Sequence, residues 1–153
     1  MYSVIMKSHR LHKLVWTSRP LMQAAEACVE AGLKGTGLTV RMRAVLEILH
    51  TYGDLSVPEI AAKLEINRQY VQLMVNETLA TGVTEQRPNP RHKRSPILML
   101  TDEGRRLIED IIARELALME EIGADFDSEE ISIAMKVVLA LTERLKERAG
   151  ENG

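Results

Sequence analysis

The segment SVPEIAAKLEINRQYVQLMVNETLA, residues 56–80, decides the fold. Its pattern predicts two short helices joined by a tight turn. Ser56 and Glu59 have the spacing of a capping box, in which each side chain accepts a hydrogen bond from a free amide at the helix N-terminus. Asn67 can cap the second helix, and Gly82 is suited to end it. The segment therefore predicts a helix-turn-helix.

The second helix of this motif has two chemically different faces. The predicted inner face holds Val71, Met74, Val75 and Thr78 at helical spacing. The predicted outer face carries three amides and one leucine, namely Gln69, Gln72, Leu73 and Asn76. Asparagine and glutamine can bond bidentately to adenine N6 and N7 in the DNA major groove. Arg68 and Tyr70, near the helix start, are placed for phosphates or a nearby base. On a lone helix, a polar face of this kind is more often solvated surface without a partner.

The segment that follows the helix-turn-helix makes a DNA partner the stronger interpretation. Residues 83–87 and 96–100 read as two short strands, and the loop PNPRHKRS, residues 88–95, connects them. The loop tip carries four basic residues in a row, namely Arg91, His92, Lys93 and Arg94. A basic tip of this kind can enter the minor groove, where arginine senses groove width and negative potential. A helix-turn-helix followed directly by a basic hairpin predicts a winged helix.

The stretch from residue 37 to about residue 104 resembles the MarR family of bacterial regulators. The resemblance is carried by RQYVQ at residues 68–72, by NPRHKRS at residues 89–95 and by LTDEG at residues 100–104. These motifs are similar to the recognition helix, the wing and the start of the helix after the wing. Two positions depart from the family pattern: His92 stands where many members have Asp, and Thr78 stands where Leu is usual.

The resemblance implies a homodimer in which the terminal helices of two chains interlock. Two recognition helices about one DNA turn apart (~34 Å) would then suit a pseudo-palindromic site in double-stranded DNA. It further implies a repressor that a small aromatic or phenolic ligand releases from DNA. The candidate ligand-binding residues are His12, Trp16 and Met42.

The predicted fold is mainly α with a small β-hairpin wing. Residues 37–104 are expected to form the winged helix-turn-helix domain, and residues 1–36 and 105–153 the helical dimerisation region. A first helix is predicted over about residues 8–33, with a kink or restart at Pro20. A last helix is predicted over residues 129–148. Its apolar residues lie on more than one face, which a monomer of this size cannot cover, so a partner is expected independently of the resemblance.

The overall composition at first argues against a protein that binds nucleic acid. The chain has 153 residues, 45% of them hydrophobic and 27% charged, and a formal net charge of -2, whereas many nucleic-acid-binding domains are strongly basic. The charge is divided along the chain. Residues 66–95 carry five bases against two acids, and residues 102–130 carry 11 acids against three bases. We therefore expect DNA to approach from the wing and the recognition helix, away from the acidic segment.

Several classes of protein are disfavoured. A single cysteine, Cys28, excludes a disulfide framework and a cysteine-based zinc site. No apolar run approaches the ~18 residues that would span a bilayer, and the start lacks the features of a signal peptide. We therefore expect a cytoplasmic protein, associated with the nucleoid when bound to DNA. The sequence has no phosphate-binding glycine loop, nucleophile–base pair or HExxH motif, so no enzyme activity, cofactor or metal is expected.

Alternative functions stay open at this point. The outward Leu73 would suit a winged-helix module that binds protein and does not use DNA. Cys28 would suit a redox-sensing regulator, although Glu26 and Glu30 on the same helix disfavour its thiolate. A His9–His12 pair at i, i+3 would suit metal sensing, but the sequence clusters no further ligand there.

Overall fold

The structure, a computed structural model, describes residues 1–151 and confirms a mainly helical fold with a small sheet. These residues form six helices and three short strands. In chain order they are α1 (Tyr2–Gly32), α2 (Val40–Tyr52), β1 (Leu55–Ser56), α3 (Val57–Leu64), α4 (Arg68–Ala80), β2 (Thr84–Arg87), β3 (Ile97–Leu100), α5 (Asp102–Ile122) and α6 (Ser128–Glu151).

The sheet has the order β1-β3-β2, and both of its pairings are antiparallel. The β2–β3 pairing is the predicted hairpin, with Thr84 opposite Leu100 and its far end at Arg87. The sequence pattern does not predict β1. That strand is only two residues long and pairs through Leu55 with Leu98, which lies far along the chain. Because the partner residues are far apart in the sequence, no local pattern of apolar and polar residues indicates this pairing.

The sequence predicts that the first helix kinks or restarts at Pro20. The restart is wrong, because α1 is a single helix that contains Pro20. Proline removes the amide that would bond to the carbonyl four residues earlier, here that of Trp16. Both residues are exposed, so water can solvate the Trp16 carbonyl and the helix continues. The helix also begins at Tyr2, six residues before its predicted start. At the other end of the chain, α6 extends to Glu151, beyond the predicted residue 148.

The predicted caps of the helix-turn-helix are confirmed. Ser56 and Glu59 form the capping box, in which the Ser56 amide donates to Oε2 of Glu59 at 3.0 Å. The Asn67 side chain accepts from the Tyr70 amide at 2.8 Å, so α4 begins where the sequence pattern places it.

The chain forms two compact units, of which the first is Met1–Ala113 and the second begins at Arg114. Two apolar clusters hold the first unit together. One joins α2, α3, α4 and β3 and consists of Val45, Leu49, Ile60, Ala61, Val71, Met74, Val75 and Leu98. The other joins α2 to the first half of α5 and consists of Leu33, Leu38, Met42, Leu46, Val83, Ile108 and Ile111. The burial of these side chains holds α4 and the hairpin in a fixed position within the first unit.

The hairpin is joined closely to the start of α5. The Thr101 amide donates to the Val83 carbonyl at 3.1 Å, and the Thr101 hydroxyl donates to the Gly82 carbonyl at 2.9 Å. A Cβ atom on Gly104 would lie 1.9 Å from the Val83 carbonyl oxygen, so this approach of helix to strand requires glycine.

The second unit contains the end of α5 and all of α6. The α6 N-terminus is capped by Asp127 and Glu130, each side chain accepting from the other residue's amide. No residue of α6 is buried in the described chain. None of the helices in residues 1–151 combines the length and the apolar character that crossing a membrane requires.

Candidate nucleic-acid interface

The two faces of α4 lie as the sequence predicts. Val71, Met74, Val75 and Thr78 are buried. Gln69, Gln72, Leu73 and Asn76 are exposed, and 60% of Leu73 is accessible to solvent. The helix therefore presents a row of amides with one leucine among them.

Thr78, a departure from the family pattern, has a buried partner on the hairpin. Its hydroxyl donates to the Val75 carbonyl at 2.7 Å and lies 2.8 Å from the hydroxyl of Thr84 at the start of β2. Because both hydroxyls are buried, each needs a hydrogen-bond partner, and the pair supplies it. The two threonines thus tie α4 to the first strand of the hairpin.

A second contact fixes α4 to the start of α2. Arg41 donates to Oε1 of Glu77 at 2.8 Å. A hydrogen bond to the Tyr70 hydroxyl, followed by the negative charge of Glu77, raises the pKa of the Arg41 guanidinium. Arg41 therefore links Glu77 to Tyr70, which lies near the N-terminal end of α4. Arg41 and Glu77 are absent from the residues predicted from sequence, since 36 positions separate them and no local motif links them.

The hairpin loop is ordered by Asn89. Its side-chain amide donates to the Ser95 carbonyl at 3.0 Å and its side-chain oxygen accepts from the Arg91 amide at 3.1 Å. The Ser95 amide donates to the His92 carbonyl at 3.1 Å. The loop therefore closes on its own backbone although His92 replaces the usual Asp. Asparagine that bonds to the backbone two residues on is a recognised turn former, so a signal for Asn89 was present in the sequence.

The basic residues predicted to contact DNA are exposed. In the part of the chain that the structure describes, no acidic side chain pairs with Arg68, Arg91, Lys93 or Arg94, all of which are exposed. By contrast, Arg87 at the loop end of β2 lies 3.4 Å from Asp54. Unpaired guanidinium and ammonium groups are available to an anionic partner.

A cleft of about 310 Å³ separates α4 from the hairpin. It brings together residues that the sequence separates by up to about 40 positions, including Arg68 at the start of α4 and Arg94 in the loop. The lining is formed by Val57, Pro58, Arg68, Gln69, Gln72, Val75, Gln86, Arg94, Ser95, Pro96 and Leu98. The arrangement can hold an anionic chain between two cations while amides face its other side.

The candidate ligand-binding residues lie in different environments. His12 and Trp16 are exposed on α1 with ring centroids 6.3 Å apart, and the Arg19 guanidinium lies 5.2 Å from the Trp16 ring. Met42 is only 3% exposed and packs in the second apolar cluster. Cys28 is exposed on α1. Among residues 1–151, no group of three or more His, Cys, Asp or Glu side chains is arranged to hold a metal ion.

No family model matches the chain. A solved structure described as the MarR family transcription regulator SP03579 is 34% identical to it, with a TM-score of 0.88, and the match covers 97% of this chain and 99% of that one. The chain belongs to the MarR family of transcription regulators.

Two other proteins are similar to this chain. The HTH-type transcriptional repressor MdtR of Bacillus subtilis is 27% identical over 123 residues, which are 80% of this chain and 79% of MdtR. FabT of Streptococcus pneumoniae, solved in complex with DNA, is 17% identical, with a TM-score of 0.75 and coverage of 89% and 97%, and therefore supports the fold.

A further relative is matched over about half of this chain. Protein Rv2011c of Mycobacterium tuberculosis, described as uncharacterised, is 37% identical over 73 residues, which are 48% of this chain. The match spans about half the length of that relative, 51% of it.

Proposed function

We propose that this MarR family member is a homodimeric repressor that recognises a pseudo-palindromic operator with α4 and the wing. The wing is defined as β2, β3 and the loop of residues 88–95. One observation carries the proposal: an exposed amide face on α4 lies beside an exposed basic loop, with a cleft between them, and the loop charges have no ion-pair partner among residues 1–151. The name of MdtR, a transcriptional repressor, supports repression as the outcome.

Each part of this surface suits a different part of the duplex. The amides of α4 suit base edges in the major groove, and the basic loop suits the adjacent minor groove. The sugar-phosphate backbone runs between the two grooves, and Arg68 and Arg94, which both line the cleft, suit contacts to it. Phosphate contacts of this kind set the position and register of a protein on DNA, and base contacts set its sequence preference.

The exposed apolar residues of the terminal helices support a dimer. On α1 these residues are Val4, Ile5, Met6, Leu14, Trp16, Leu21 and Met22. On α6 they are Ile131, Ile133, Met135, Val138, Leu139 and Leu145. Large exposed apolar surfaces on a folded chain mark interaction sites. A second copy that covers them by two-fold symmetry would also present two copies of α4 to two half-sites.

The test uses the full chain and DNA sites selected from a random library. Gln72→Ala should weaken binding by about 1–3 kcal/mol and relax the preference at the bases it reads. Arg94→Ala should weaken binding to all sequences and lower the salt slope by about one unit. Arg106→Ala is the matched control, because Arg106 is exposed on α5 and already paired with Glu103. If the folded Gln72→Ala and Arg94→Ala variants bind as tightly as wild type, the proposal fails.

The proposal also includes release by a small aromatic ligand at His12, Trp16 and Met42. Trp16 is the only tryptophan in the sequence, so its fluorescence reports directly on this region. Titration with a panel of hydroxybenzoates should change this fluorescence and displace bound operator at the same concentrations. A panel that changes neither signal argues against an aromatic effector at Trp16.

A further inference from the structure

The outer face of α4 lacks the side chains that most often read guanine. From Gln69 to the end of the helix at Ala80 the sequence contains no lysine or arginine. The single acid in this span, Glu77, is paired with Arg41. The nearest cation, Arg68, occupies the first position of α4 and lines the cleft with Arg94. The centre of the helix therefore offers only amides and Leu73 to the base edges.

The major-groove edges of the bases differ in what they require. Guanine presents two acceptors, O6 and N7, and its commonest partner is a bidentate arginine or lysine. Adenine presents the N7 acceptor and the N6 donor, which suit one amide oxygen and one amide N–H. On α4, Nε2 of Gln72 donates to Oδ1 of Asn76 at 2.9 Å. This bond leaves Oε1 of Gln72 free to accept and Nδ2 of Asn76 free to donate, which is the combination that adenine requires.

Leu73 adds an apolar group to the same face. It lies next to Gln72 in sequence, and Gln69 and Asn76 precede and follow it on the helix surface at i-4 and i+3. Within the described chain, Leu73 is 60% exposed, so most of it is open to a partner. The C5-methyl group of thymine is the apolar feature of the major-groove edges. Because thymine pairs with adenine, the leucine and the amides favour the same kind of base pair.

We infer that α4 reads A·T base pairs at the centre of each half-site, with Leu73 contacting a thymine C5-methyl group. This inference rests on the proposed DNA-binding function and deepens it. It makes Leu73 a specificity-determining residue and accounts for an exposed leucine that would otherwise suit a protein partner.

The experiment selects binding sites from a random duplex library with wild-type protein, Gln72→Ala and Leu73→Ala. The positions whose base preference relaxes in either variant are those that α4 reads. In wild type these positions should be A·T. Each thymine at these positions is then replaced by uracil, which removes only the methyl group. The loss of one buried methyl should weaken wild-type binding about fourfold per half-site.

Leu73→Ala should bind the thymine and uracil sites with nearly equal affinity. Leu116→Ala is the matched control, since Leu116 is 64% exposed but lies on α5, and its thymine-to-uracil ratio should equal that of wild type. Selection of G·C at the relaxed positions, or equal binding of thymine and uracil by wild type, overturns the inference while leaving the proposed function standing. A selection that enriches no sequence at all overturns both.

Discussion

At the scale of single residues, the buried Thr78–Thr84 pair shows how a departure from the family pattern is accommodated. Thr78→Val keeps the shape of the side chain but leaves the Thr84 hydroxyl buried without its partner. We expect a loss of about 1–3 kcal/mol in the free energy of unfolding, measured by urea denaturation. The double variant Thr78→Val with Thr84→Val should lose less than the sum of the single losses. Additive losses would show that the hydroxyls do not interact.

Gly104 is a second position at which a single added atom, a Cβ, should affect the stability of the fold. Because a Cβ atom would lie 1.9 Å from the Val83 carbonyl oxygen, Gly104→Ala should force α5 away from the hairpin. We expect a loss of at least about 1–3 kcal/mol in the free energy of unfolding. Gly150→Ala is the control, since no atom lies within 4 Å of its Cβ position, and it should be neutral or slightly stabilising. Equal stability of the two variants would contradict the close approach.

At the scale of elements, the wing loop depends on Asn89. Asn89→Ala removes two hydrogen bonds that order an exposed loop, so it should change the unfolding temperature little. The loop would then become ordered only when DNA binds. The free-energy cost of ordering it should weaken DNA binding by about 1 kcal/mol. Thermal melts and DNA titrations on one preparation separate the two effects. A large fall in melting temperature with unchanged affinity would assign Asn89 to folding instead.

The elements differ in how far the sequence predicts them. The helix-turn-helix and the hairpin follow from local signals, such as the Ser56–Glu59 capping box and the basic loop. The strand β1, the Arg41–Glu77 contact and the Thr78–Thr84 pair depend on residues brought together by tertiary packing, which no local pattern encodes. Pro20 shows the opposite case, in which a strong local signal is overridden because water can replace the lost hydrogen bond. The DNA and ligand contacts themselves remain predictions.

At the scale of the whole molecule, the exposed apolar residues of α6 allow a test of dimerisation. Leu139→Glu places a charge among the apolar residues of α6, where Leu139 is 57% exposed, and burying this charge in a dimer would be costly. We expect sedimentation to shift from dimer to monomer and operator affinity to fall with it. Arg144→Ala changes the net charge by the same amount at an exposed position about 140° around α6 from Leu139, and it should leave the dimer intact. Dimers of unchanged strength in Leu139→Glu would exclude this part of α6 from the interface.

The contacts that fix the wing determine which of its residues can change during the evolution of such a regulator. The hairpin is fixed at its base by Thr84 and by the Thr101 contacts, and at its loop end Arg87 pairs with Asp54. The loop is closed by Asn89. The side chains at positions 90–94 make none of these contacts, so substitutions there leave these side-chain interactions in place. After gene duplication, changes in these five residues would alter how strongly a descendant's wing binds DNA while leaving these anchoring contacts in place.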